Sequence, residues 1–202
     1  MRSDRQLQAE VMDELAYDPS LSAEKIGVSV NNGVVTLSGF VPSFAEKYAA
    51  ERAAFRIAGV KAVAEEIEVS LPGSSIKTDA EIARAAIDAL AWNVNVPVTV
   101  RVTVEGGRII LRGEVEWAFQ RDAATDAVRT ITGVIGITNH LAIRPRVQPT
   151  DVKTRIEQAL LRRAEDDARK ITVEADGSRV ILSGEVTSNA ERQDATAAAW
   201  AA

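Results

Sequence analysis

Histidine and cysteine, the side chains that most often carry nucleophilic or metal chemistry, are almost missing from this sequence. His140 is the only histidine in 202 residues, and there is no cysteine. A Ser-His-Asp triad or a histidine-rich metal site would depend on His140 alone, and disulfides, thiolate nucleophiles and iron–sulfur clusters are excluded. We therefore predict that His140 is a solvent-facing strand residue, and that the chain has no catalytic residue, no metal and no cofactor.

Two acidic runs could in principle hold a metal ion or supply paired carboxylates. The run Glu165-Asp166-Asp167 lacks the glycine and the spaced ligands of a calcium-binding loop, so a solvated loop is predicted there. Glu65 and Glu66 are neighbours in an alternating segment, and neighbours on a strand point to opposite faces. The sequence also has no Gly-x-x-x-x-Gly-Lys-Ser/Thr phosphate loop. These patterns predict that the chain is not an enzyme.

Arginines in the middle third of the chain are the remaining candidates for chemistry. Residues 77–147 carry a net charge of +1, whereas residues 1–76 carry −4 and the whole chain carries −5. The acidic total argues against nucleic acid as a partner. Strand alternation places these basic residues on one face of the middle sheet: Arg101, Arg108, Arg112, His140 and Arg144. They are predicted to contact a polyanion such as an anionic phospholipid surface, and the alternative is ion pairing with Glu66 and Glu68.

A threefold internal repeat must position these side chains. The segment VVTLSGFV at 34–41 recurs as RIILRGEV at 108–115 and as RVILSGEV at 179–186. An alternating run precedes each segment and is joined to it by an Asn-Gly, Gly-Gly or Asp-Gly turn, which predicts a β-hairpin in every repeat. A helical apolar stripe comes before each hairpin, and an alanine-rich helix follows it. The first two repeats then continue into a third strand.

The repeating unit is therefore predicted to be α-β-β-α-β. The fold class is α+β or α/β, with tandem units that each place two helices on one face of a small mixed sheet. A right-handed crossover should lay strand three parallel to strand two. The predicted domains are 1–72, 76–147 and 149–202. The third is expected to lack its last strand, because Ala202 falls within a helical pattern, and its open edge predicts self-association.

Helix stripes and helix starts also recur in the three repeats. The apolar stripes of the first helices are Leu7, Val11 and Leu15; Ile82, Ala86 and Leu90; and Val152, Ile156 and Leu160. Asp4, Asp79 and Asp151 stand near the starts of these helices, where a carboxylate favours the helix dipole. Trp92 and Trp117 flank the second hairpin and are interpreted as core packing residues.

Eight glycines recur at equivalent places and are predicted to be structural. Three lie in the hairpin turns, three lie near the end of the second strand, and two follow the second helix. They are Gly33, Gly107 and Gly177; Gly39, Gly113 and Gly184; and Gly59 and Gly133. The glycine of the second strand shares a face with inward-pointing apolar residues, so we interpret it as removing a side chain beneath the second helix. The turn glycines supply positive φ.

The sequence shows no secretory signal and no apolar run of about 18 residues that could span a membrane. A cytoplasmic location is the prediction, and a periplasmic location is the alternative if a signal has been removed.

The hairpin motif resembles the BON domain family, the bacterial osmotically inducible protein Y and nodulation domain. The resemblance rests on V-x-V-x-x-G-x-V-x-L-x-G-x-V at 28–41 and on the later Ile131-Thr132-Gly133-Val134. It implies a non-enzymatic, stress-associated binding module linked to phospholipid membranes and osmotic shock. Two alternatives stay open: a protein–protein scaffold, and a small-ligand or ion binder in the grooves between repeats.

Overall fold

The computed structural model describes residues 2–144, 171–176, 179–186 and 189–200. The first-helix stripe predicted for repeat three, the acidic run at 165–167 and Gly177 lie outside the described residues.

The first two repeats have the same succession of helices and strands. Repeat one contains α1 (Asp4–Tyr17), a short 3-10 turn (Ala23–Lys25), β1 (Ile26–Asn31), β2 (Val34–Val41), α2 (Phe44–Arg56) and β3 (Ala62–Val69). A second 3-10 turn (Gly73–Ser75) lies between the first two repeats. Repeat two contains α3 (Asp79–Trp92), β4 (Arg101–Glu105), β5 (Arg108–Val115), α4 (Ala118–Val128) and β6 (Gly136–Ile143). The described part of repeat three contains β7 (Ile171–Asp176), β8 (Arg179–Gly184) and α5 (Asn189–Trp200).

The sheet topology agrees with the predicted unit. In repeat one, β1 pairs antiparallel with β2, and β2 pairs parallel with β3. Repeat two has the same arrangement in the order β4-β5-β6. The predicted class of two helices packed on a small mixed sheet is therefore confirmed.

Local sequence signals explain where the first helices begin and which side they bury. Ser3 caps α1 and Thr78 caps α3, each in a capping box with the side chain three residues later. The stripe of α1 is fully buried at Leu7, Val11 and Leu15, and the stripe of α3 is buried in the same way. These apolar faces pack on the sheet and on the second helix of the same repeat.

Alanine on the second helix allows that helix to lie close to the sheet. Ala50, Ala53 and Ala54 are completely buried in the core of repeat one, together with Val35 and Leu37 of β2. A chain with few aromatic residues builds a dense core in this way, because small helix side chains admit the aliphatic side chains of the strands. In the described part of repeat three, Val173, Ala195 and Ala198 are the buried residues.

The glycine of the second strand has a different role from the one predicted. In β5, a Cβ on Gly113 would collide with the carbonyl oxygen of Thr99, just before β4 begins, and φ is +130°. Gly39 meets the carbonyl oxygen of Lys25 in the same way, with φ +123°. The interpretation that these glycines make room for the second helix is wrong. They admit the backbone that enters the hairpin.

In repeats one and two, a carboxylate at the start of the first helix holds the hairpin turn. The side chain of Asp79 accepts hydrogen bonds from the backbone N–H groups of Gly106 (2.8 Å) and Gly107 (2.8 Å). Asp4 accepts the same pair of bonds from Asn32 (2.7 Å) and Gly33 (3.0 Å). The helix dipole was therefore an incomplete explanation for these aspartates. They also fix the turn against the helix.

Trp92 does not pack in the core, because its side chain is 88% exposed. Trp117, at the start of α4, is half-buried. The interpretation of Trp92 as a core residue is wrong, since α3 ends there and its buried stripe stops at Leu90.

Candidate functional site

The open face of the repeat-two sheet, opposite the helices, carries a row of basic side chains across all three strands. Arg101 of β4 lies directly opposite Arg112 of β5, and Arg112 lies directly opposite His140 of β6. All three side chains are exposed. Because neighbouring strands lie about 4.8 Å apart, the row spans roughly 10 Å between its outer Cα atoms. We call Arg101, Arg112 and His140 the basic row.

The two other predicted basic residues lie on either side of this row. Arg144, directly after β6, forms an ion pair with Glu114 of β5 at 3.0 Å. Arg108, at the start of β5, places its guanidinium group over Gly136. A Cβ on residue 136 would collide with that group. The structure thus brings the five predicted residues to one sheet face. Within this set, Arg144 has a local acidic partner.

The basic row is specific to repeat two among the described sheets. The same register carries Gly27, Ser38 and Glu66 in repeat one. In repeat three it carries Thr172 opposite Ser183. The fold therefore does not require basic residues at these positions.

Stability of the sheet does not explain the row either. Like charges directly opposite each other on neighbouring strands are destabilising. Arg101 and Arg112 form no ion pair with any residue that the structure describes, and no ion pair joins them to Glu66 or Glu68. Two adjacent exposed guanidinium groups can instead bind an anion by charge-assisted hydrogen bonds.

In repeats one and two, one polar side chain links the third strand to the second helix by two contacts. In repeat one, Lys47 of α2 donates to the carbonyl oxygen of Ile67 (2.6 Å) and lies 3.6 Å from the Glu65 carboxylate. In repeat two, Asn139 donates to Thr125 Oγ1 (2.8 Å) and to the carbonyl oxygen of Arg121 (3.1 Å). The second helix therefore contacts the inward polar residue of the third strand.

Glu51 of α2 lies close enough to Lys47 and Glu65 to feel their charges, at the position where repeat two has Thr125. Burial raises the pKa of the Glu51 carboxyl, and the nearby Glu65 charge raises it further, against the opposing effect of Lys47. A raised pKa in the folded state means that ionised Glu51 destabilises the fold at neutral pH. This destabilisation is absent below the pKa that the Glu51 carboxyl has in the unfolded chain. It grows as the pH rises above that value and is complete once the pH has passed the pKa of Glu51 in the folded state.

Replacing Glu51 with glutamine is therefore expected to raise the melting temperature of repeat one at pH 7. The gain should disappear as the pH is lowered toward 4, where the native carboxyl is also neutral. Thermal unfolding at a series of pH values measures this dependence. Glu68→Gln, on the open face, removes the same charge as a control. An equal gain from both variants at pH 7 would show that net charge, and not burial of Glu51, sets the effect.

A cleft of about 1300 Å³ lies between the second helices of the three repeats. Aromatic rings from the three repeats line it: Tyr48, Phe55, Trp117, Phe119 and Trp200. Arg129 of repeat two lies 5.0 Å from the Tyr48 ring centre and 2.8 Å from Asp126. In the part of the chain that the structure describes, every fully buried side-chain polar atom has a hydrogen-bond partner. A ligand in this cleft stays a prediction.

No group of three or more acidic or histidine side chains suited to a metal ion occurs in the described residues. Across the same ranges, no helix combines the length and the apolar character needed to cross a bilayer.

Comparison with known proteins gives the family. The BON domain family matches residues 3–70, 78–145 and 149–202. The chain is 28% identical over 144 residues to osmotically-inducible protein Y of Escherichia coli (strain K12), covering 68% of this chain and 71% of that protein.

Solved structures with detected similarity include two of CdsD, a structural protein of the type III secretion system of Chlamydia trachomatis. The C-terminal domain is 14% identical with a TM-score of 0.30, covering 71% of this chain and 68% of that chain. A second CdsD structure is 14% identical with a TM-score of 0.27, covering 94% and 83%. Since the family matches account for most of the sequence in three consecutive segments, this chain belongs to the BON domain family.

Proposed function

We propose that this chain is a non-enzymatic binding module that associates with anionic phospholipid surfaces through the open face of repeat two. The observation that carries the proposal is the basic row, in which Arg101 and Arg112 lie opposite each other without an acidic partner among the described residues. Guanidinium groups form charge-assisted hydrogen bonds with phosphate groups, which are the charged groups of an anionic phospholipid surface.

The expected affinity is low and depends on salt. Each basic residue close to an anionic membrane surface contributes about 1 kcal/mol, so the two arginines contribute about 2 kcal/mol. At physiological ionic strength, salt screens this attraction at distances beyond about 8 Å, so binding requires close approach to the surface. Arg144 adds less, because Glu114 already neutralises it locally.

The relative that is 28% identical to this chain is named as an osmotically inducible protein. By analogy, we propose that this chain acts under osmotic stress, when membrane surfaces are perturbed. The cytoplasmic location stays a prediction.

Replacing the two arginines of the basic row is expected to weaken vesicle binding about 30-fold, the equivalent of about 2 kcal/mol. The variant is Arg101→Thr together with Arg112→Ser, which introduces the residues that repeat three has in this register. Sedimentation with vesicles containing phosphatidylglycerol, at low and at moderate salt, measures the change. Vesicles of phosphatidylcholine alone should bind neither protein.

A matched control separates the face from overall charge. Arg5→Gln with Arg84→Gln removes two positive charges from the exposed surfaces of α1 and α3, and should leave vesicle binding unchanged within twofold. Equal binding by the basic-row variant and the native protein contradicts the proposal. So does the absence of native binding at low salt.

A further inference from the structure

The open face of repeat one has the opposite charge to the open face of repeat two. Its third strand, β3, carries two exposed carboxylates, Glu66 and Glu68. Phe40 of β2 lies directly opposite Glu68 and is 58% exposed, although it is a large apolar residue within a strand. We call Phe40, Glu66 and Glu68 the acidic face.

The two carboxylates of the acidic face have no cationic partner in the part of the chain that the structure describes. No ion pair there involves Glu66 or Glu68, whereas their neighbour Glu65 pairs with Lys47 on the helix side of the sheet. The arginines of the basic row are unpaired in the same ranges. The molecule therefore presents two exposed faces of opposite charge.

Repeats one and two contact each other on the helix side of their sheets. Phe44 of α2 packs against the core of repeat two, and the Arg129 guanidinium lies 5.0 Å from the centre of the Tyr48 ring. The open faces lie on the other side of the sheets, so this contact does not bring the acidic face to the basic row. A second molecule is needed to join them.

Small side chains make the rest of the repeat-one face suitable for close packing against another sheet. Two sheets stack about 10 Å apart when the facing side chains are compact. On the open face of repeat two, Ile110 stands two residues before Arg112 and offers Phe40 an apolar contact. The small residues that alternation places on the open face of repeat one are Gly27, Ser29, Thr36, Ser38 and Ala64.

We propose that the acidic face binds the basic row of a second copy of this chain, with one open sheet face against the other. Arg101 and Arg112 lie on neighbouring strands, about 5 Å apart across the sheet. Glu66 and Glu68 are two residues apart, about 7 Å along one strand. The two pairs run in the same direction when the strands of the two sheets cross near a right angle, which is one of the two common modes of sheet packing.

The strength and symmetry of this contact follow from its size and its two different faces. A sheet of three strands with eight residues in β2 presents an area of roughly 14 Å by 26 Å. Such an area is at the low end of protein interfaces, so association should be weak, reversible and reduced by salt. Because the two faces differ, the contact closes into a ring of copies or extends into an open chain. It covers the basic row, so anionic vesicles should compete with it.

Sedimentation velocity at low salt and without lipid tests the contact, over protein concentrations from about 10 μM to about 1 mM. The mass of the native protein should rise with concentration. Glu66→Arg with Glu68→Arg, and separately Arg101→Glu with Arg112→Glu, should each weaken association at least tenfold, because each pair of changes gives the two faces the same charge. Phe40→Ser should weaken association about tenfold without a change in charge.

A mixture of the two charge-reversed proteins gives the sharpest result. Neither should associate alone, but equal amounts of both should associate, because acidic faces of one protein then meet basic faces of the other. Asp13→Arg with Asp88→Arg is the matched control, since it reverses two acidic charges at exposed positions of α1 and α3. It should change association less than twofold.

Three outcomes overturn the proposal. The first is a native protein that stays monomeric at about 1 mM and low salt, in which case vesicle binding by the same sample would still support the lipid function of the basic row. The second is association that both charge-reversed proteins retain, or that the control loses equally. The third is a mixture of the two charge-reversed proteins that stays monomeric.

Discussion

Replacing Gly113 with alanine is expected to lower the free energy of unfolding of repeat two by about 3 kcal/mol or more. Two costs combine at this position. The added Cβ would collide with the Thr99 carbonyl oxygen, and alanine would have to adopt a φ of +130°, which L residues rarely populate. The collision involves backbone atoms, so no side chain can move aside. Unfolding in urea, monitored by hydrogen exchange of the amides in residues 79–143, measures the loss in the free energy of unfolding of repeat two.

Two other glycines of the same chain provide controls. Gly106→Ala adds a Cβ to a turn residue with φ +55° and no atom within 4 Å, so the expected cost is about 1 kcal/mol from φ alone. Gly73→Ala adds a Cβ in open space without positive φ, and its effect should lie within about 0.5 kcal/mol of zero. A Gly113→Ala protein as stable as Gly73→Ala would contradict the role assigned to the Thr99 carbonyl.

Replacing Asp79 with alanine is expected to cost repeat two about 2–3 kcal/mol. The carboxylate accepts two bonds of 2.8 Å from the turn N–H groups, and hydrogen bonds to a charged acceptor are stronger than neutral ones. Asp79→Asn keeps one acceptor oxygen and should lose about half as much. Chemical denaturation of the three proteins measures the series.

The surface position Asp88 on the same helix is the comparison for this variant. It is exposed, so Asp88→Ala should change stability by less than about 0.5 kcal/mol. Hydrogen exchange adds a local measure, because the amides of Gly106 and Gly107 should lose protection in Asp79→Ala but not in Asp88→Ala. Unchanged protection at those two amides would show that the turn holds without the carboxylate.

The sequence was sufficient for the repeat, the hairpins and the inward faces, because these follow from local periodicity. Leu7, Val11 and Leu15 lie four residues apart, and turns of the Asn-Gly type specify where two strands meet. The open face of repeat two followed from the same alternation. Arg101, Arg112 and His140 could be placed on one face before their exact register was known.

Contacts between residues far apart in the chain could not be predicted in this way. Asp79 is 27 residues from Gly106, and its position at a helix start already had a sufficient local explanation in the dipole. Gly113 had an equally plausible local explanation in the helix above it. The Arg144–Glu114 ion pair depends on side-chain conformation, which alternation does not determine.

In repeats one and two, the aspartate that joins the first helix to its hairpin has a consequence for the order of folding. Residues 79–107 form a local closed unit, whereas β6 must return across α4 to reach β5. Local contacts form faster than distant ones, so we expect helix and hairpin to assemble first and the third strand to arrive last. During synthesis, each repeat would thus pass through a stage with a vacant strand position.

Tandem repeats with the same sheet topology risk exchanging strands with one another at that stage. β3 and β6 share one aliphatic pattern, and either would fit an unfilled sheet of its neighbour by apolar contacts alone. The two strands differ at one inward polar residue. Glu65 of β3 contacts Lys47, whereas Asn139 of β6 contacts Thr125, so each strand matches the second helix of its own repeat better than that of its neighbour. In repeats one and two, this inward polar position is therefore expected to act against mispairing, because the residues at it differ between the repeats.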